Sequence, residues 1–499
     1  MSKTRQKCFT SNLRLIPAFF DIGDATKVIL PYAIEVAECA FYDRRHLKHV
    51  DAPLLTKVGD SAFMYCSQLD LRCLSKVVMF CTRACAYAGN GGDVCLRSCA
   101  FIGVEGFAYS NIGVVNAPVL HDAARHAFRG STVISVSCPR LMHIPSNFAK
   151  ECSKLREVHC MQVQSIGDAA FSDCRMLNYV KVAAAPTVPI QCFFNCARLS
   201  EFNLDTTETV ACEAFSGAGI TRVVSFRITS IHDCAFRYTS RLKSAHLPMC
   251  KHIGSRAFER SGAELNIDFG MALPPKCLVL GPYCFASANI KAFSCNSHLE
   301  IGYASFMAST IAKLSAPHTY RIYAAAFQGA MVLTPLTFDG VKAVSPTAFK
   351  GATIASVALN SATFVAHAAF ERCTAKAIFV NAARFLPRWS FLGAVVDTLS
   401  AANVRGTGED AFLCASIGRI SCGLQCAKTA HGPTFTLKLS GRTRTICALS
   451  SRVFWRVLIT VVLSLRRYGM CDDVIKLVLW QIPDERFISC YTAPSVSSF

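Results

Sequence analysis

Apolar residues along this chain fall into two short patterns that alternate. The first is a strand-like phrase with an apolar side chain at every second or third position: "LREVHC" (155–160), "LNYVKV" (177–182), "LSEFNL" (199–204), "LKSAHL" (242–247) and "IASVAL" (354–359). Such spacing predicts short strands that bury one face. The second is a compact phrase that ends on phenylalanine, as in "VGDSAF" (58–63), "IGDAAF" (166–171) and "IGSRAF" (253–258). Gly59, Gly167, Gly254, Gly281 and Gly302 each stand four residues before that ring. A tight backbone bend there favours glycine.

The two phrases recur together from one end of the chain to the other. The ring returns at Phe19, Phe41, Phe63, Phe107, Phe128, Phe148, Phe171, Phe193, Phe215, Phe236 and Phe258. It resumes at Phe285, Phe306, Phe327, Phe349, Phe370, Phe391 and Phe412, and Cys85 holds the place between Phe63 and Phe107. The step is almost always 20 to 23 residues, with one of 27 across "IDFGMALPPKCLVL". One strand and one bend per unit of this length predicts a leucine-rich solenoid. No such unit can bury its ring alone, so each coil must wall in its neighbour's. Burial of one Phe contributes roughly 1.5–3 kcal/mol, so the ladder is expected to dominate cohesion.

The pattern L-x-x-V-x-L followed by I-G-x-x-A-F-x-x-C resembles the BspA-like branch of leucine-rich repeat proteins, over roughly Phe19 to Phe412. The resemblance implies a curved β-solenoid of about 18–19 coils of 20–23 residues, with a strand sheet on the concave side. It also implies a non-enzymatic binding role: members are adhesins of bacteria and protists, or intracellular proteins of protists and large viruses. On this reading residues 1–18 lead into the first coil, 19–434 form the solenoid and 435–499 form a basic loop with a helical cap.

Past Phe412 the period dissolves. "SSRVFWRVLITVVLSLRRYG" (450–469) predicts an amphipathic helix, with Ser450 or Ser451 as its cap and Val453, Phe454, Val457, Leu458, Val461, Val462 and Leu465 on its apolar face. "CDDVIKLVLWQIPDE" (471–485) predicts a shorter helix that ends before Pro483. The pair is expected to seal the open end of the solenoid. The alternative is a docking element of the F-box adaptor kind, although the usual Leu-Pro opening is missing. The apolar run Val453–Leu465 is interrupted by Arg456 and is shorter than the roughly 20 residues a membrane span needs. The N-terminus lacks the apolar run of a secretory leader. These features lead to the expectation of an intracellular protein, most simply cytoplasmic, or a component of a virion or other large assembly.

The 27 cysteines take their meaning from the repeat. Cys66, Cys174, Cys196 and Cys373 lie three residues after the signature Phe, Cys39 and Cys234 two before it, and Cys212 three before Phe215. These places suit a small, weakly polar, buried side chain, so reduced core thiols are expected rather than disulfides. Cys414, Cys422, Cys426 and His431 could supply zinc ligands, but their spacing lacks paired C-x₂-C motifs. The glycine loops "GNGGD" (89–93) and "GTGED" (406–410) lack a phosphate-loop Lys-Ser/Thr and the Rossmann spacing. Neither His-Glu-x-x-His nor Gly-x-Ser-x-Gly occurs, so no catalytic residue, cofactor or metal is expected.

The net charge of +19 is the remaining functional signal, since it attracts acidic protein faces or polyanions. Unmarked positions of the strand phrases should point away from the core. They carry Lys48, Arg156, Lys181, Arg222, Lys243, Lys291 and Lys313, which are the candidate partner-binding residues of the concave face. His49, His159 and His246 are expected to face outward on the same phrases. The leading expectation is a protein-binding scaffold, with a BspA-like surface adhesin, exported by an unconventional route, as a further alternative. The runner-up is a polyanion or nucleic-acid binder on the basic strand face, against which stands the expected burial of the Phe ladder away from bases.

Overall fold

The computed structural model describes residues 7–182, 185–262, 264–270, 277–408, 410–422, 433–439 and 442–447. The expected helices between 450 and 485 lie outside these residues. The fold is a parallel β-solenoid of about 19 turns. It divides into two compact units, Met1–Cys250 with Arg260–Ala263, and Lys251–Glu259 with Glu264–Phe499.

In the first unit most coils contribute two strands instead of one; the phrase "LSEFNL" (199–204), expected as a strand, forms none, and Leu71–Leu74 is a short 3₁₀ helix. The expected L-x-x-V-x-L strands pair in parallel, as in Val114–Asn116, Ser135–Ser137, Glu157–Cys160 and Tyr179–Val182. Their central residues Val115, Val136 and Val158 are buried. The second strand is the dipeptide that opens the compact phrase. Leu15–Ile16, Glu35–Val36, Lys57–Val58, Met79–Phe80, Phe101–Ile102 and Asp122–Ala123 form a second parallel sheet. Periodicity missed it because two residues are too few to alternate.

The second unit repeats the plan with longer strands. Thr353–Ala358, Thr374–Phe379, Val395–Ala401 and Ala415–Cys422 pair in parallel with matched register. Its second sheet includes Cys277–Leu280, His298–Ile301, Thr319–Ile322, Ala343–Val344 and Phe364–Val365. The stretch expected as a basic loop contains Pro433–Leu439, parallel to Ala415–Ser416, and Arg442–Cys447, antiparallel to it. No helix among the described residues is long and apolar enough to cross a membrane.

Phe41, Phe63, Phe107, Phe128, Phe171, Phe193, Phe215 and Phe236 are buried in the first unit, and Phe258, Phe285, Phe306, Phe327, Phe349, Phe370, Phe391 and Phe412 in the second. Their rings stack coil on coil, for example Phe171 on Phe193 at 5.6 Å and Phe349 on Phe370 at 5.2 Å and 3°. Each contact adds about 0.5–1.5 kcal/mol to the burial itself. Where the ladder holds only Cys85, Phe80 of the second sheet reaches in and lies 4.9 Å from Phe107.

Two coils carry the ring one step early. Register pairs Ile144 with Ile166, so Phe148 stands opposite Ala170 and Ala149 opposite Phe171. The Phe148 ring accordingly meets Phe128 and Phe171 edge-on, at 82° and 81°. The first coil does the same with Phe20, which meets Phe41 edge-on at 6.0 Å. Phe19, read as the first rung, is instead 74% exposed.

The phrase between second strand and ring is a corner that is itself hydrogen-bonded from coil to coil. Cys39, Phe41 and Asp43 donate their N–H groups to the carbonyls of Asp60, Ala62 and Met64, all at 2.8 Å. The residues two before and two after the ring have positive φ, as at Cys39 (51°), Asp43 (57°), Ser61 (51°) and Tyr65 (64°). This alternation aims every second N–H at the next coil. The early glycine answers a different need from the expected bend: a Cβ on Gly59 would lie 2.7 Å from the Ala37 carbonyl carbon of the preceding coil. Close approach of backbones, not a left-handed φ, excludes a side chain there.

Phe171→Ala is expected to cost about 3–5 kcal/mol, as for a ring-sized void in a packed core. Phe19→Ala should shift stability by less than about 0.5 kcal/mol, as for other surface changes. Urea melts of both variants check this, and equal losses would contradict the ladder.

Candidate functional site

The longer strands of the coils, the first sheet, form three separate parallel ladders among the described residues, and their exposed face is the candidate site. A buried Val or its equivalent anchors each strand, and the flanking residues carry the variable chemistry. Lys48, Arg156, Lys181, Arg222, Lys243, Lys291 and Lys313 are all exposed. They do not occupy one register row. Lys48, Arg156 and Lys243 immediately precede strands His49–Asp51, Glu157–Cys160 and Ser244–His246, whereas Arg222 opens its strand and Lys181 is the third residue of its own. In the second unit Lys291 lies within Asn289–Ser294 and Lys313 precedes Leu314–Ser315.

Local company therefore matters more than a continuous groove. Lys181 registers with His159, which lies 3.4 Å from Glu157, and Lys291 lies 3.3 Å from Glu264. Arg222 registers with Ser244, the neighbour of Lys243. Exposed aromatics that periodicity did not single out share this face. Tyr179 is 47% exposed and packs 5.4 Å from His159, and Phe226 is 66% exposed and packs 5.3 Å from His246. Both fall outside the Phe period, and that displacement was the available signal. His49 is exposed, while His159 and His246 are half-buried.

A second row lies two residues after the ring, at the corner. Tyr65, Tyr87 and Tyr109 occupy it in three successive coils, with rings 5.0 and 4.9 Å apart. The Arg129 guanidinium lies over Tyr109 and pairs with Glu151 at 3.1 Å.

The cysteines divide by position. Three residues after the ladder place the side chain enters the core, as at Cys373, and four such thiols donate their S–H to the preceding coil. Cys66 bonds the Phe41 carbonyl at 3.1 Å, Cys152 that of Phe128 at 2.9 Å, Cys174 that of Ala149 at 3.0 Å and Cys196 that of Phe171 at 3.1 Å. Burial pushes the Cys66 and Cys152 thiols up to about 12 and Cys174 well above the usual range. Cys39, Cys212 and Cys234, expected in the core, are only half-buried. The corner places Cys39 and Cys234 at the left-handed position, where the side chain leans outward. Of the imagined zinc ligands Cys414 is exposed, while Cys426, His431 and the Cys422 side chain lie outside the described residues. No group of three or more metal-ligating residues converges among the described residues.

A parallel β-solenoid with a ring ladder, a corner ladder and exposed strand faces defines a leucine-rich repeat protein. A family profile, the BspA type Leucine rich repeat region (6 copies), matches residues 16–131, 81–200, 121–226, 208–334 and 266–377. The chain belongs to the BspA-type leucine-rich repeat family. Among solved structures it is similar to a leucine-rich repeat protein from Bacteroides ovatus, at 15% identity and a TM-score of 0.32, over 84% of this chain and 88% of that one. It is similar also to a leucine rich cell surface protein from Faecalibacterium prausnitzii, at 18% identity and a TM-score of 0.28, over 55% of this chain and 93% of that one. A leucine-rich repeat protein from Eubacterium ventriosum matches at 12% identity and a TM-score of 0.31, over 78% and 89% of the two chains. No curated relative matches the chain.

The raised thiols fix a direction for alkaline behaviour. Below an ordinary thiol value of 9.0 these groups are neutral in folded and unfolded chains alike, and their contribution to stability is fully present. Between there and about 12 only the unfolded chain releases the proton, so stability falls as pH rises. The urea midpoint at about pH 10.5 should lie below that at about pH 8, and a flat profile would show that these thiols titrate as ordinary ones.

Proposed function

We propose that this protein is a non-enzymatic binding scaffold whose partner is another protein, held on the exposed face of the first sheet. The carrying observation is the separation of roles along each strand. The core position repeats as Val115, Val136, Val158 and Val223, whereas the outward position beside it changes from Val114 to Ser135, Glu157 and Arg222. A constant core beneath a varied surface suits recognition of one extended partner. The exposed residues are mixed in charge and include Tyr179 and Phe226, a composition typical of protein interfaces. Leucine-rich repeat proteins generally bind proteins, which agrees with this reading. The seven strand-face cations are its proposed contacts, with Arg222 and Lys243, at the start of the paired strands Arg222–Val224 and Ser244–His246, as the first to test.

The double change Arg222→Glu and Lys243→Glu should leave the urea midpoint within error, since exposed substitutions typically shift stability by less than about 0.5 kcal/mol. It should slow association with the partner captured by the wild-type chain, most strongly at low salt. A partner bound equally well by the variant would remove this face from consideration.

An intracellular location remains part of the same proposal. Buried S–H groups bonded to carbonyls support it, because a thiol in that place is already satisfied. Thiol counting in denaturant without reductant, on protein from its native source, should recover most of the 27 cysteines. Recovery of a few would indicate an oxidising compartment.

A further inference from the structure

The second sheet of the unit containing Glu264–Phe499 carries a strip that the protein-binding reading does not use. Five successive coils there have the strands Thr319–Ile322, Ala343–Val344, Phe364–Val365, Phe385–Leu386 and Gly406–Thr407. Ile322, Val344, Val365 and Leu386 are buried. The position just outside them is Arg321, Ala343, Phe364, Phe385 and Gly406 in turn, and the position before that is Tyr320, Lys342, Thr363, Arg384 and Arg405. Ala343 pairs with Phe364, and Phe385 with Gly406 in a separate two-stranded ladder on the next coils; the carbonyls of Lys342 and Arg384 accept from the N–H groups of Thr363 and Arg405, both at 2.9 Å.

The strip holds four cations and no acid. Lys342, Arg384 and Arg405 form no ion pair among the described residues, and Arg321 lies 3.6 Å from Glu300 at the strip's edge. Elsewhere the same column is mixed, as where Lys57 pairs with Glu35 at 2.7 Å. Beside the cations stand two exposed rings, Phe364 (58%) and Phe385 (52%). Neither belongs to the buried ladder, whose rungs in these coils are Phe370 and Phe391. A Cβ on Gly406 would come 3.3 Å from the Phe385 ring, so that ring rests across a bare stretch of backbone. One exposed Phe would need no explanation. Two on neighbouring coils, lined by unpaired cations, do.

We propose that this strip binds single-stranded nucleic acid. The column Lys342, Arg384 and Arg405 takes phosphates, and Phe364 and Phe385 supply faces on which unpaired bases stack. Cations that track a backbone beside sequence-tolerant aromatic platforms are the physical requirements of single-strand binding. Coils spaced about 4.8 Å apart let one extended strand run along the column. A duplex hides its bases from such rings, and a sulfated polysaccharide has none to offer them.

The test is fluorescence anisotropy on the full chain with labelled oligo(dT) and oligo(U) of about 20 nucleotides, against a blunt duplex of equal length and heparin as competitors. Single strands should bind more tightly than the duplex. Three or four phosphate contacts should give a log–log salt slope between about −2 and −3. Phe364→Ala with Phe385→Ala should weaken binding about 30-fold or more while leaving the salt slope in place. Tyr at both positions should restore most of the affinity. Arg384→Glu with Arg405→Glu should weaken binding and flatten the slope. Both side-chain pairs are exposed, so unchanged thermal melts confirm that the fold is intact. The proposal is overturned if the oligonucleotides do not bind at low salt. It is equally overturned if duplex and heparin bind as well as single strands and the alanine pair binds like wild type, which would leave only a general attraction of anions.

Discussion

Coil-to-coil register is the constraint on which everything else in this molecule depends. At the inner corners the residues two before, at and two after the ring position donate to the next coil, as Cys39, Phe41 and Asp43 do at 2.8 Å. These bonds require a left-handed residue on either side of the ring, a conformation that costs roughly 1–2 kcal/mol per non-glycine residue. Inter-coil hydrogen bonds and ring stacking together offset that strain. A slip of one residue would take the ring out of the ladder and break the corner pattern at once. Variation in coil length is absorbed mainly between the ring and the strand that follows it, as Phe215 stands eight residues before Val223 and Phe41 nine before Val50, which is how steps of 20 to 23 residues coexist with an unbroken stack.

The same register separates the inside of the protein from its outside. Interior places accept few side chains, and where they vary the neighbours compensate, as Phe80 does for Cys85 and as Phe148 does by meeting its neighbours edge-on. Exterior places are nearly free. Residues some twenty positions apart in sequence become lateral neighbours, so that Tyr65, Tyr87 and Tyr109 form one stacked row. Any binding surface on such a protein is assembled from one or two residues per coil, and its chemistry can change within a few coils.

The cysteines follow the same logic. Three residues after the ladder place a small side chain is wanted; Ala serves there, as at Ala88, Ala218 and Ala330, and Cys, Ser and Thr serve where they can also donate one hydrogen bond. Cys66 reaches back to the Phe41 carbonyl of the preceding coil, whereas Ser110 and Thr239 bond the carbonyls of Phe107 and Phe236 in their own. A thiol is the more easily buried of these groups, and its weak S–H finds an acceptor without demanding a second partner.

The sequence by itself determined the repeat, the ring ladder, the buried face of each longer strand and the cysteines that follow the ring, because each of these recurs at a fixed spacing that the chain must honour to bury its rings. It also marked the seven strand-face cations as exposed. Only the tertiary structure decided what lies beside what. The two-residue second strands carry too little pattern to be read, and the early glycine looks like a bend until Ala37 of the neighbouring coil is seen against Gly59. Phe19 and Phe20 are adjacent letters, and the register of Ile16 with Val36 alone chose which of them meets Phe41. Phe364, Phe385, Arg384 and Arg405 likewise gain meaning only as neighbours across coils. Spacing along the chain fixes which residues are interior, whereas lateral proximity is created by stacking, which no single repeat encodes.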